Sequence, residues 1–505
     1  MEASPSAEHM PMEGVRRNAV FALLVQITTG VFTTAVTLYL VRALGTRGFG
    51  LFALALSVGR LAVIAADAGI PLSVARFLAE TGGDRRSAAG LLRDSLRLKL
   101  VSGAVVAVAV FAAAGPIAQA YNQPALVWPL RGIACSLFSE SLLGLYVAAL
   151  IALGRNSRNL RLTFIESFVE AGAIIALVAA GAGATGAAFG RAIGYTVGAL
   201  VATVAVYRLF GRALLSTRTA GRTREIAAYA APLVVASGAY TFYSQIDVMI
   251  VGAMLGVYAV GVFAAPMQLV IPLAYIGQAL ANSVAPRQAA SDKGPNVRAF
   301  VTSLRWLIIF QSALLAPIVV WPQEICRILL GTQFAQSADV LLALAPYIFL
   351  RGLGPLISTT VNYLGRAQQR IPIVLAALAV MVAIDVALLP RIGVVAAAIG
   401  ATAAYWLYVP AHFVICWREL GFDLRPLALT CLRALAAAGA MAGVLLAIGT
   451  GPISIGALIA GAVVGTVAFA AVLVLTREVS RSELRRGGAA VSTRVSRLLA
   501  PSGLR

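Results

Sequence analysis

Apolar residues run along this chain in long unbroken blocks, and polar residues are confined to short intervals between them. The blocks fall at about 19–41, 50–71, 97–118, 125–151, 162–183, 185–210, 230–252, 258–285, 301–322, 339–362, 371–389, 394–417, 428–449 and 453–475. Each is close to the ~20 residues that carry an α-helix across a bilayer. They are rich in Ala, Leu, Val and Gly and lack the alternation of barrel strands, which cross in about 10 residues. The pattern predicts an all-α polytopic membrane protein of fourteen transmembrane helices.

Composition agrees. Of 505 residues, 60% are apolar and 12% charged, and the mean hydropathy is +0.89; such a chain has no water-soluble core. The first apolar block is longer than a signal-peptide core and is expected to remain as a span. The longest polar stretches, around 80–95, 211–225 and 286–300, leave no room for a globular catalytic domain.

The net charge of +20 comes from forty basic residues, all arginine except Lys99 and Lys293. Thirty-two of them fall in one alternating set of loops, at the span edges beside those loops, or in the two termini. Four, Arg42, Arg47, Arg327 and Arg391, fall in the other set. Such asymmetry sets membrane orientation, so both termini are expected in the cytoplasm of a cell-membrane protein. It also absorbs the surplus charge that would otherwise suggest nucleic acid. Cys135, Cys326, Cys416 and Cys431 are scattered, and His9 and His412 are the only histidines. No disulfide framework, metal site or cofactor is expected.

An internal repeat sets the architecture. "LGTRGFGLFA" at Leu44–Ala53 aligns with "LGVYAVGVFA" at Leu255–Ala264 at a shift of 211. The same shift carries Arg76 onto Arg287 and "LGR" at 153–155 onto "LGR" at 364–366. A shift of 210 superposes Gly183, Ala187, Ala188 and Gly190 on Gly393, Ala397, Ala398 and Gly400. Six spans separate the copies, so two lobes of like orientation are expected about an axis along the membrane normal. The expected organisation is an N-terminal tail (1–18), an N-lobe (19–210), a cytoplasmic linker (211–229), a C-lobe (230–417) and two extra spans (428–475). A basic tail, 476–505, follows, expected to be mobile or bound to anionic headgroups.

"YLVRALGTRGFGLFALALSVGRLAVIAADAGIPLSVARFLAE", "IDVMIVGAMLGVYAVGVFAAPMQL", "NYLGRAQQRIP" and "LLPRIGVVAAAIGATAAYWL" resemble the polysaccharide-transporter branch of the multidrug/oligosaccharidyl-lipid/polysaccharide exporter superfamily. The resemblance runs in order over roughly residues 15–420. It implies a flippase that moves an undecaprenyl-(pyro)phosphate-linked oligosaccharide from the cytoplasmic to the outer leaflet by alternating access. Its partners would be the lipid-linked glycan, membrane lipids and the glycan polymerase or glycosyltransferases of the same pathway, with no nucleic acid. The extra spans resemble the additional pair in lipid II flippases.

Four arginines lie within spans: Arg60 and Arg351 near span centres, Arg131 and Arg191 nearer the outer side. Each costs about 2.5–3.5 kcal/mol to insert at mid-membrane, so each should face protein or a water-filled cavity. Guanidinium forks suit phosphate and acidic sugars, which makes the four candidates for substrate binding; ion pairing or snorkelling is the structural alternative. Asp67 follows Arg60 by two helical turns and is expected to border the same polar stripe. Glu166 and Glu170 are four apart on one face, and the repulsion between them makes them candidates for proton coupling, or else partners of the loop residues Arg155, Arg158 and Arg161. Asp247 and Asp385 are expected to make cap or loop contacts. Glu140 occupies the repeat position of Arg351, so the two suit a gate that pairs in one access state and parts in the other.

Gly186, Gly190, Gly194 and Gly198 form a small-xxx-small face expected to pack closely. Pro266, Pro272, Pro346 and Pro355 should bend or interrupt spans 8 and 10. Phe32, Tyr39, Tyr240, Tyr243 and Tyr275 suit sugar stacking or interfacial packing. A multidrug cation antiporter of the same fold would want an acid-lined lobe cavity, and a lipid II flippase differs only in its substrate. A membrane glycan polymerase or acyltransferase would want a large outer loop or histidine chemistry, and a scaffold would leave the buried arginines without purpose. No enzymatic activity is expected.

Overall fold

The computed structural model describes residues 15–81, 84–211, 214, 223–288, 296–451 and 453–479. Most of the expected N-terminal tail, much of the 211–229 linker and nearly all of the basic tail lie outside them.

Among the described residues the chain is helical and has no strand. The elements are α1 (Val15–Asp67), α2 (Ile70–Glu80), α3 (Arg85–Ala120), α4 (Val127–Ala152), α5 (Asn156–Leu177), α6 (Gly183–Phe210), α7 (Thr223–Leu255), α8 (Val257–Val270), α9 (Tyr275–Val284), α10 (Val297–Val320), α11 (Pro322–Leu329), α12 (Ser337–Ala343), α13 (Ala345–Tyr363), α14 (Arg370–Ile392), α15 (Val395–Leu420), α16 (Arg425–Ile448) and α17 (Ile455–Leu475). Among the described residues, ten helical stretches are long and apolar enough to cross a membrane, or eleven with the bent pair α12–α13 as one span. Two of the ten, Val20–Asp67 at 48 residues and Asn156–Phe210 at 55, are each long enough for two crossings. The described residues are thus compatible with fourteen.

The repeat is written into the backbone. Gly45 ends the first span with φ 66° and ψ −179°, and its repeat mate Gly256 has φ 82° and ψ 178°. Gly183, with φ 56° and ψ −141°, is matched by Gly393, with φ 66° and ψ −152°. Only glycine enters this region without strain, so each lobe turns its chain with the same residue at the same place. Span 8 is interrupted by a 3-10 turn at Ile271–Ala274 that carries Pro272, and α12 meets α13 at 54°.

The described residues gather into two compact units. One takes in residues up to Tyr275 with Cys326–Leu344 and Arg366–Ala411; the other takes in Ile276–Ile325, Ala345–Gly365 and the chain from His412. Within the first, a core of Val74, Phe77, Leu92, Tyr146, Leu150 and Phe210 joins α2, α3, α4 and α6. The glycine face of α6 packs backbone to backbone on α5: a Cβ on Gly190 would lie 2.6 Å from the Ile174 nitrogen, and one on Gly194 2.6 Å from the Glu170 Cα. Such contact replaces the hydrophobic drive that lipid does not provide.

Within the second unit, α16 and α17 are fastened to α10 at both ends. The Trp321 indole donates to the Gly449 carbonyl at 2.9 Å, and its ring fills the space a side chain on Gly461 would need. At the opposite end Glu478 accepts from Arg305 Nε at 2.7 Å, Arg433 Nη1 at 2.9 Å and Thr430 Oγ1 at 2.6 Å. Residues 476–479 therefore do not begin a mobile tail: Glu478 and Val479 are buried, because two guanidinium groups compensate the carboxylate. Burial alone would raise the Glu478 carboxyl; the hydrogen bonds from Arg305, Thr430 and Arg433 outweigh it and hold the group below its ordinary value.

Candidate functional site

Two backbone closures bracket one stretch of α1. The first is the crossing of α1 and α8. A Cβ on Gly50 would stand 1.8 Å from the Val257 carbonyl oxygen, and one on Gly261 would stand 1.9 Å from that of Thr46. Gly50 and Gly261 are repeat mates, and so are Thr46 and Val257, so the pseudo-twofold axis passes through this contact. Polar bonds reinforce it: Arg42 donates to the carbonyls of Ile328 and Leu329, and Thr46 Oγ1 donates to the Gln333 carbonyl at 2.9 Å. The second closure lies just past the end of α1. There a Cβ on Gly69 would stand 2.6 Å from the Ala230 carbonyl oxygen of α7, and Tyr229 packs edge-on to Phe77 and under the Arg76 guanidinium. Seventeen residues of helix run from Gly50 to Asp67 at the end of α1, a rise of about 25 Å, most of the thickness of the hydrocarbon core.

Arg60 lies midway between the closures. It is exposed and makes no hydrogen bond or ion pair with any described residue. Arg191, Glu140, Tyr195 and Tyr275 all lie within electrostatic reach of it. These polar neighbours, not lipid alone, surround the guanidinium.

Beside it stands a compact knot. Arg191 on α6 donates to Glu170 of α5 at 2.8 Å, to Glu140 of α4 at 3.3 Å and to the Tyr195 hydroxyl at 2.9 Å; its guanidinium also sits 4.5 Å from the Tyr195 ring centroid. The α6 glycine face brings these groups together by drawing α5 close. Glu166, one turn before Glu170, is buried against Gly198 and accepts from Ser167 at 3.1 Å.

Three candidates thus converge, Arg191 with Glu140 and Glu170, and Arg60 borders them. The partner of Glu170 is Arg191, not a loop arginine, because the carboxylate lies on the α5 face turned toward α6. Asp67 is not joined to Arg60: it pairs with Lys99 of α3, whose side chain is wholly buried. Arg131 stands apart, its guanidinium 5.1 Å from the Phe111 ring and 5.0 Å from that of Trp128. Arg351 is half-buried on α13 in the second unit, where the Gln311 amide occupies the Cβ position of the adjoining Gly352.

Tyr195 and Lys99 were not among the residues singled out from the sequence, although Tyr195 sits one turn from Arg191. Asp247 and Asp385 also depart from expectation. Both are buried, they lie within electrostatic reach of each other, and both Asp385 carboxylate oxygens lack a hydrogen-bond partner. They sit well inside α7 and α14, too far from the helix ends for Asp385 to serve as a cap.

Residues 15–289, more than half of the chain, match the polysaccharide biosynthesis protein family. The chain belongs to that family. No curated protein matches its sequence. This polysaccharide biosynthesis family member shares its fold with the lipid II flippase MurJ in an inward closed conformation, at a TM-score of 0.75 and 10% identity over 91% of this chain and 99% of that one. An inward-facing multidrug resistance MATE family transporter of the MOP superfamily matches at a TM-score of 0.66 and 16% identity, over 80% of this chain and 98% of the other. A MOP superfamily transporter from Pyrococcus furiosus, described as having a binding pocket of reversed polarity, matches at 0.58 and 16%, over 81% and 96%. The family and these neighbours place the chain among multi-pass membrane proteins of MOP transporter fold.

Proposed function

We propose that this chain is a flippase that carries an undecaprenyl-(pyro)phosphate-linked oligosaccharide from the cytoplasmic to the outer leaflet of the cell membrane by alternating access, with both termini cytoplasmic. The observation that carries the reading is Arg60, an exposed guanidinium with no hydrogen bond or ion pair among the described residues, halfway between the two close backbone contacts. An unpaired cation there is costly unless an anion arrives to meet it. A phosphate linkage or an acidic sugar is such an anion, and the family's place in polysaccharide biosynthesis favours a glycan carried on lipid. The chain then needs no chemistry of its own beyond binding and movement.

In this reading the Gly50–Gly261 crossing is the outer closure and the Gly69–Ala230 contact the inner one. Arg191 holds the lobe together and shapes the wall beside Arg60. Glu140 exchanges partners as the lobes rock, with Arg351, its repeat-related opposite, as the alternative. Each negative charge moved outward across an inside-negative membrane gains about 2.3 kcal/mol per 100 mV, a contribution to the driving force. Lipid II is the nearest alternative substrate.

Glu140, Glu166 and Glu170 favour one other reading, export of a cation by the same motion. Arg191 already engages two of those carboxylates, which leaves Arg60 as the group offered to the space. Reconstitution with a fluorescent polyprenyl-pyrophosphate glycan separates the readings. Leaflet transfer above that of empty vesicles, lost in Arg60→Gln, supports the proposal; transfer no faster than in empty vesicles, with efflux of a cationic dye instead, overturns it.

A further inference from the structure

Between α1 and α2 the chain makes a turn that its sequence alone does not favour. Ala68 and Gly69 are consecutive left-handed residues, with φ +46° and +69°. Alanine takes that conformation only where its surroundings impose it. Those surroundings are polar and buried. The Ala66 carbonyl, next to the end of α1, accepts from Lys99 Nζ at 3.2 Å, Ser102 Oγ at 2.9 Å and Ser141 Oγ at 3.2 Å. Lys99 also clamps the Asp67 carboxylate. Two residues later Gly69 lies under the Ala230 backbone, where no side chain fits.

We propose that Lys99 is the positioning residue of the inner closure: by clamping Asp67 and the Ala66 carbonyl, it fixes the Ala68–Gly69 turn that presents a bare backbone for α7 to seat upon. This rests on the alternating-access reading. A buried ammonium depends on its partners, and here Asp67 and the Ala66 carbonyl both belong to the last turn of α1. The serines satisfy the same carbonyl from α3 and α4, so the turn is anchored wholly within the N-terminal half, and α7 can leave and return without unmaking it. The clamp also engages Asp67 with Lys99, two turns away from Arg60.

The test reads closure, not transport. In a cysteine-free full-length chain, Phe77→Cys and Tyr229→Cys are introduced at the ring pair that stands 5.7 Å apart, and a short bifunctional thiol reagent is applied in native membranes. We expect Lys99→Met to lower the cross-linked fraction at least ~10-fold. A Lys99→Met chain that elutes like the parent and cross-links like it overturns the proposal. Should that variant fail to fold, Ser102→Ala with Ser141→Ala weakens the same knot more gently; a fall of about threefold is expected, and an unchanged yield overturns the proposal. No glycan takes part, so failure of glycan transfer in the parent protein sinks the flippase reading and leaves this result to stand or fall separately.

Discussion

Gly50 and Gly261 are related twice, once by the 211-residue repeat and once by contact, since each leaves out the side chain that would strike the carbonyl of the other's neighbour. Gly50→Ala must therefore force α1 and α8 apart. Overpacking of this kind costs about 1–3 kcal/mol, which lowers the closed-to-open ratio ~5- to 150-fold. Labelling of Thr46→Cys by a membrane-impermeant maleimide should rise accordingly. Labelling equal to that of the parent would show that the crossing is no closure.

Among the described residues Arg60 breaks no hydrogen bond or ion pair when it is removed. Arg60→Gln should leave the melting temperature unchanged or slightly higher, while glycan transfer falls by at least ~10-fold. Arg60→Lys keeps the charge but loses the fork, and should fall between the two. A marked loss of thermal stability in Arg60→Gln would reassign the residue to structure.

Arg191 predicts the reverse. Taking it away leaves Glu140 and Glu170 without the guanidinium that bonds both, so Arg191→Met should destabilise the chain by about 3–5 kcal/mol. The triple variant Arg191→Met, Glu140→Gln, Glu170→Gln should recover much of that loss in a denaturation series. If it recovers none, the knot is not held by charge.

Glu478 makes stability depend on acidity. Its folded carboxyl is held below its ordinary value, so the unfolded chain binds the proton more readily. The contribution is complete above the unfolded value, about 4.3, and is lost as pH falls through the lower folded value. Melting curves should therefore place the parent above Glu478→Gln at neutral pH and bring the two together in acid. Parallel curves throughout would remove the carboxylate from the account.

The all-helical, multi-pass character of the chain and the glycine turns of its repeat were legible in the sequence, because hydropathy and glycine position are local properties of a span. The close face of α6 was legible for the same reason. Partner choice was not. Asp67 and Arg60 share a helix face, yet Asp67 turns to Lys99, which lies 32 positions away in the chain. Asp247 and Asp385 meet because α7 packs on α14, and no pattern within either helix reports how the other is rotated. In sequence Glu170 is a charge beside another charge; only the glycine-mediated approach of α6 supplies Arg191. Periodicity gives the direction a residue faces, and packing between distant spans decides what it finds there.

The Trp321 and Glu478 fastenings have a mechanical consequence. A helix pair pinned at top and bottom to α10 is no loose flap; it travels as ballast on whatever that helix belongs to. Under the proposed alternating access the pair moves with α10 and carries its lipid-facing residues along, so a thicker or stiffer bilayer should slow that motion even where the proposed glycan still binds.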